Sequence, residues 1–398
     1  VSTIKLKNWR INAIFVAILV VFSPFWACQS TEITIAPESI STRSLAQIDS
    51  VINQAINQQI FPGAVVHVIQ NDSTLFHKAF GYFDYDQTTQ MDTSSVFDVA
   101  SITKVMGTTL AFMGLHDQGD INIYDPVAKF LPEFNTPDKR TITIYQLLTH
   151  TSGLPAFRIY IDKLKTRDEL IHAIKNEPLV QNPGESYLYS DLGLILCGII
   201  IEQLSGQRQD EYMAENWFSR LKLHDTTFNP KTRGDSFVAR ILPTEIDTMY
   251  RHKLIQGEVH DERAWYMDGV AGHAGLFSTS TDIGRFARML LNHGKLDQFQ
   301  YLSESVVRNF TRRQAPLLRR GIGFDMKSID GFSSAGTLAS GRTFGHTGFT
   351  GTSFWVDPER NLVVIILTNR TFPYRGTSTG ISRVRSDVAD IVHQYISN

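Results

Sequence analysis

Cysteine is almost missing from this chain: of 398 residues only Cys28 and Cys197 carry a thiol. With Cys28 in a leader-like opening stretch, neither a disulfide framework nor a cysteine-ligated metal site can be built. Cys197 lies in the apolar stretch 192–201 and reads as a buried, inert thiol, so a catalytic thiol is also missing. An excess of charge of one sign is lacking too. Lys and Arg number 38 against 40 Asp and Glu, with no long run of either, so nucleic acid has no support as a partner. There is no internal repeat. The first apolar run, 13–22, is too short to cross a ~30 Å hydrocarbon core, which takes roughly 20 helical residues. His260, Asp261, Glu262 and His273 match no compact metal signature and read as loop hydrogen-bonding groups, with His260 or His273 near a cleft as an open alternative. No metal and no cofactor are expected.

What is present begins with a leader. Lys5, Lys7 and Arg10 precede the apolar run, and Phe25-Trp26-Ala27-Cys28 follows it, which predicts a signal peptide over 1–27. A small residue directly before a cysteine resembles the bacterial lipobox, so Cys28 is the expected lipidation site and new N-terminus. Phe25 and Trp26 depart from the usual lipobox pattern, leaving simple cleavage or an uncleaved anchor as alternatives. Residues 28–44, rich in Ser and Thr, read as a lipid-anchored tether. The expected location is the bacterial cell envelope, on the periplasmic or cell-surface side, with the membrane as partner through the anchor.

A composition of 42% hydrophobic and 20% charged residues is that of a globular protein. Single cores stop growing at roughly 250 to 300 residues, so the ~370 residues after the leader are expected to form two lobes sharing a cleft. Leu45, Ile48, Val51, Ile52, Ala55 and Ile56 recur at helical spacing, Pro62-Gly63 ends that helix, and 64–69 and 74–80 read as a hairpin. Helical patterns dominate 101–292. Runs 352–356 and 362–368 read as strands, and 381–396 as a closing helix. Strands at both ends with helices between predict an α/β (α+β) class. A mixed lobe of 45–100 and 300–398 would carry an antiparallel sheet, with a helical lobe of 101–299 inserted in one domain, 45–398.

Three spots carry chemistry. In Ser101-Ile102-Thr103-Lys104, a helix opened by Ser101 puts Lys104 on the same face, where a desolvated amine whose pKa is lowered by burial can take the hydroxyl proton. Alone, the pair occurs by chance in most long proteins and is better read as a capping Ser and a solvated Lys. Tyr189-Ser190-Asp191 precedes an apolar helix; Tyr189 can move protons, or be a packing residue with Asp191 as a cap. His346-Thr347-Gly348 begins a run that fits an inner strand, with hydrogen-bonding side chains and a small Gly for close approach of a ligand, or a Gly-flanked strand start.

Together, in this order, the three resemble the signature elements of penicillin-recognising serine enzymes, Ser-x-x-Lys, Tyr-x-Asn and Lys/His-Thr-Gly. The likeness extends through Phe61-Pro62-Gly63-Ala64 and the stretch 147–155 over roughly 45–396, and is nearest the class C β-lactamase-related branch of carboxypeptidases, esterases and amidases. The resemblance implies a β-lactamase/transpeptidase-like fold. It implies Ser101 as nucleophile and Lys104 and Tyr189 as proton-transfer partners. By the same likeness the backbone N–H groups of Ser101 and Phe349 form an oxyanion hole, and Asp191, His346, Thr347 and Gly348 bind substrate. Asp191 stands where the family usually has Asn, and His346 where efficient β-lactamases have Lys; both depart from an optimised β-lactamase. The expected activity is acyl-enzyme hydrolysis of a small-molecule or muropeptide substrate, in the manner of a DD-carboxypeptidase, amidase or esterase. Alternatives are a true class C-like β-lactamase and, from another class, a penicillin-binding sensor or inactive scaffold.

Overall fold

The computed structural model describes residues 44–397 apart from 161, 162, 165, 316, 317, 377 and 378. The leader, the lipidation position Cys28 and all of the tether but Ser44 lie outside the described residues. Among the described residues no helix is long and apolar enough to cross a membrane.

The segment 362–368 shows how the centre is built. Every residue of strand Leu362–Thr368 is buried, and alternate side chains join different cores. Leu362, Val364 and Ile366 cluster with Val66 and Val68 beneath Ile48, Ile52, Val384 and Val388 of the helices Gln47–Asn57 and Ile381–Ile396. Val363, Ile365 and Leu367 cluster on the other face with Ile283, Phe286 and Leu290 of the helix Ser280–Leu291. The period of two along a strand thus explains an apolar run without polar alternation: both faces are covered.

The central antiparallel sheet has the order Asp325–Met326, Phe344–Thr347, Ser353–Asp357, Leu362–Thr368, Gly63–Gln70, Ser73–Gly81. Strand Gly63–Gln70 lies between the C-terminal strand and its own hairpin partner, with Val66 opposite both Ile366 and Lys78. A sheet knit from both ends of the domain agrees with the sequence reading and is the β-lactamase/transpeptidase-like arrangement.

The lobe boundary needs correction. Helix Ser280–Leu291, placed by sequence in the helical lobe 101–299, packs on the central sheet, because Ile283, Phe286, Ala287 and Leu290 form an apolar stripe that only the sheet's second face can bury. The same stretch also holds strands: Leu276–Ser278 and Thr227–Phe228 join Phe97–Asp98 in a small sheet that leads into Ser101. Helix Asp191–Ser205, buried from Leu192 to Ile201, is the centre of the helical part. Ser190 caps it, its Oγ accepting the Gly193 N–H at 3.2 Å. Cys197 is buried there, and burial pushes its thiol pKa up, as an inert thiol requires.

Candidate active site

Ser101 does not open a regular α-helix. Residues Ala100–Ile102 form a 3₁₀ turn, Lys104–Thr109 a π-helical turn, and only Leu110–Gln118 is α-helical. Ala100 has φ of 47°, the left-handed region that costs an L-residue roughly 1–2 kcal/mol. Its surroundings fix it there. The buried Asp98 carboxylate accepts the Ala100 N–H at 2.8 Å and the His260 N–H at 2.7 Å, and the Thr350 hydroxyl donates to the Asp98 carbonyl at 2.7 Å. Burial raises the Asp98 pKa, against the hydrogen bonds it accepts. Such strain, held by surrounding bonds, is a common feature of functional turns.

The turn still brings Lys104 back to Ser101. Lys104 Nζ donates to Ser101 Oγ at 3.0 Å and to the His273 carbonyl at 2.9 Å, and pairs with Asp191 Oδ1 at 2.8 Å. An ammonium has three donors, and three oxygens surround this one. Burial alone would lower the Lys104 pKa, but the Asp191 carboxylate first, and the Tyr189 oxygen after it, outweigh burial and raise it. The sequence expectation of an amine made basic by burial is therefore reversed, because that reading could not see the carboxylate. Lys104, 1% exposed, is held charged.

Asp191 is itself held. Its Oδ2 accepts from Arg263 at 2.8 Å; the same Arg263 nitrogen donates to Asp261 Oδ2 at 2.7 Å, and Asp261 Oδ1 meets His273 Nε2 at 2.8 Å. Burial would raise both carboxyl pKa values, but Lys104, Arg263 and His273 hold Asp191 below its ordinary value, and Arg263 and His273 hold Asp261 well below. Asp191, Asp261 and His273 present ligand-type atoms within 4.8 Å of one another. Two cations already neutralise the two carboxylates, so the cluster is built as an ion-pair network.

Tyr189 completes the group around the hydroxyl, its Oη donating to Ser101 Oγ at 3.1 Å. Its ring has Lys104 Nζ at 5.1 Å and the Arg320 guanidinium at 5.2 Å, and lies 4.5 Å from the His150 ring. Positive charge there favours any negative charge the phenol oxygen takes up. Arg320 is buried, donates to Tyr187 Oη at 2.7 Å and pairs with Asp325 at 3.2 Å. His150 Nδ1 accepts the Ser190 N–H at 3.0 Å, so its proton sits on Nε2, and burial together with Arg320 and Lys104 pushes its pKa well down.

His346, 2% exposed, is also neutral. Burial lowers its pKa to about 4, with Arg320 and Lys104 adding to the effect and Asp325 opposing it, and its Nδ1 meets the Thr347 carbonyl at 2.8 Å. Strand Phe344–Thr347 is less enclosed than the sequence predicts. Its pairing with Asp325–Met326 stops at Gly345, so His346 and Thr347 present an unpaired backbone edge on that side. Gly348 is small for a reason the sequence did not show: a Cβ would lie 2.0 Å from Thr352 Oγ1 and 2.5 Å from the Val99 carbonyl. The close approach is to the nucleophile turn.

Ser101, Tyr189, Asp191 and Phe349 line one cavity of about 240 Å³, with His260, Asp261, Arg263, His273 and Arg375 on its far wall. Among the described residues no turn or loop hydrogen bond uses the amide of Ser101 or Phe349. Glu245 links that wall to the hairpin Pro243–Asp247/Lys253–Gln256, meeting His260 Nε2 at 2.9 Å and Arg375 Nε at 2.8 Å; burial is outweighed and its carboxyl is held at about 2. Sequence reading missed Arg263, Arg320 and Arg375, and took Asp261 only as a loop hydrogen-bonding group. A signal existed only for Asp261, the side-chain cap of helix Glu262–Tyr266.

A protein of Escherichia coli (strain K12) named "Putative D-alanyl-D-alanine carboxypeptidase" is 32% identical over 372 residues, covering 85% of each chain. One of the same name from Salmonella agona is 31% identical over 371 residues, again 85% of each. Among solved structures, a penicillin-binding protein homologue from Caulobacter crescentus superposes with a TM-score of 0.71 at 18% identity, covering 88% of this chain and 97% of that one. EstCE1, a hydrolase with promiscuous acyltransferase activity, does so with 0.70 at 22%, covering 89% and 100%. The family model described as beta-lactamase matches residues 48–386, and with this geometry the chain belongs to the beta-lactamase family as one of its serine hydrolases.

Proposed function

We propose that the protein hydrolyses amide or ester bonds of peptidoglycan-derived peptides through an acyl-enzyme on Ser101. The observation that carries this reading is the convergence of Lys104 Nζ at 3.0 Å and Tyr189 Oη at 3.1 Å on one hydroxyl at a cavity wall. Ser101 Oγ attacks the substrate carbonyl carbon from the state in which Tyr189 has released its own proton, so that the phenolate oxygen takes the Ser101 proton while Lys104 remains an ammonium. The N–H groups of Ser101 and Phe349 receive the developing oxyanion, an interaction that supplies roughly 3–4 kcal/mol in comparable sites. The carbon–nitrogen or carbon–oxygen bond then breaks, Tyr189 returns the proton to the leaving group, and water releases the acyl group by the reverse transfer. The open edge at His346 and Thr347 suits a substrate peptide laid alongside as an added strand.

The substrate class follows the relatives' name and the charges of the site. A neutral His346 and an Asp191 engaged by Lys104 and Arg263 give a β-lactam carboxylate and side-chain amide little to bind. D-alanyl-D-alanine and lactoyl-L-alanine linkages are the leading candidates. We place the enzyme at the cell envelope, tethered through lipidated Cys28.

A fluorophosphonate should label the wild type and spare Ser101→Ala; equal labelling of both refutes Ser101 as nucleophile. Comparison of kcat/KM for a purified muropeptide, a p-nitrophenyl ester and nitrocefin then tests the substrate. Nitrocefin turned over far better than both others would make the protein a β-lactamase instead.

A further inference from the structure

Sharing no lining residue with the Ser101 cavity, a second cavity of about 300 Å³ opens where the end of helix Ser280–Leu291, helix Glu304–Thr311 and the edge of the central sheet meet. Its floor is apolar: Leu290, Leu291, Met326 and Phe344 are all buried. Arg308, Arg312, Arg313 and Arg342 surround it, and the lining includes no Asp or Glu. Arg308 is matched by Glu304 at 2.5 Å. The other three have no carboxylate partner among the described residues. Arg312 bonds the neutral Asn309 side chain at 3.1 Å, Arg313 donates to the carbonyls of Leu318 at 2.9 Å and Lys327 at 2.7 Å, and the exposed Arg342 side chain has no partner among them. On a chain of net charge −2, this is a local concentration of unmatched positive charge beside apolar surface.

We propose that this cavity binds a single-chain anionic amphiphile, an acyl carboxylate whose methylenes lie on the floor and whose head group sits among Arg312, Arg313 and Arg342. Apolar floor and unmatched guanidiniums select together: a neutral chain leaves the charges unanswered, and a hydrophilic anion leaves the floor wet. Size sets the chain length. A cavity of ~150 Å³ accepts benzene, so one twice as large accepts roughly ten to twelve non-hydrogen atoms, the size of decanoate.

Calorimetric titration of the full chain with decanoate, below its micellar concentration, tests the proposal. One equivalent should bind, octanoate about 15-fold more weakly at roughly fourfold per methylene, and decyltrimethylammonium not at all. The double variant Arg312→Glu/Arg342→Glu alters two exposed side chains and should lose at least tenfold in decanoate affinity while keeping its circular dichroism and ester turnover. Ser101→Ala should bind decanoate as the wild type does, which separates this cavity from the Ser101 site whatever that site's substrate proves to be. Equal binding of the cationic amphiphile, undiminished affinity in the double variant, or no saturable binding would overturn the proposal.

Discussion

Asp191→Asn restores the residue usual in this family while removing one charge, and its effects can be worked from the distances. One carboxylate meets Lys104 Nζ and an Arg263 nitrogen, each at 2.8 Å, with Lys104 wholly buried. Unit charges at that separation attract by about 6 kcal/mol at an effective dielectric of ~20, and desolvation cancels much of this. Breaking a buried pair from one side costs roughly 3–5 kcal/mol. Asn keeps the shape and one acceptor oxygen, so a loss near 3 kcal/mol at neutral pH is expected, read from urea midpoints. The sign is fixed by the pKa directions. Asp191 is depressed in the fold, so its contribution is present above the unfolded carboxyl pKa and fades as pH falls through the folded one. Lys104 is raised, so its contribution is present below the unfolded lysine pKa and fades as pH rises through the folded one. The gap between variant and wild type should be widest near neutrality and close toward acid. In the variant, burial is left to pull the Lys104 pKa down, so the alkaline limb of kcat/KM for a p-nitrophenyl ester should move to lower pH. An unmoved or rising limb would refute the assignment of Lys104 as an ammonium kept charged by Asp191.

Other substitutions probe the frame around the hydroxyl. Gly348→Ala places a methyl 2.0 Å from Thr352 Oγ1 and 2.5 Å from the Val99 carbonyl, and should cost at least about 2 kcal/mol in thermal unfolding together with most ester turnover. Ala100→Gly relieves a positive φ and should leave stability equal or up to about 1 kcal/mol higher while kcat falls, since the nucleophile turn is then less fixed; unchanged kcat would show that the strain has no catalytic part. Arg320→Gln leaves the buried Asp325 carboxylate with only the exposed Arg319 guanidinium at 3.6 Å and should destabilise by roughly 3 kcal/mol, read from urea midpoints.

The sequence was most informative where signals are local. Helical spacing located Gln47–Asn57, and the closing helix Ile381–Ile396 lies where it was expected. The three motifs named residues that the fold gathers around Ser101, Tyr189 from 88 positions away. The charge state of Lys104 was not legible, because it depends on Asp191 and on Arg263, which lies 72 positions beyond Asp191 and has no periodicity to mark it. Arg320, a buried cation 133 positions from the Tyr187 it holds, was hidden for the same reason. Gly348 was legible as a residue that must be small, but its neighbours Val99 and Thr352 become visible only when two distant strand ends meet. The packing of helix Ser280–Leu291 was misplaced because an amphipathic stripe tells that a face is buried, not what buries it.

The strand order of the central sheet sets a timetable for folding. Gly63–Gln70 is made long before one of its two neighbours, Leu362–Thr368, which lies far along the chain. Until that strand emerges, the early hairpin exposes an apolar edge and the helix Gln47–Asn57 lacks half of the surface it caps. Non-local pairing of this kind folds slowly and leaves edges open to other chains. A chain arrested before residue 362 should therefore aggregate rather than accumulate as a folded fragment, and the domain becomes stable only as a whole.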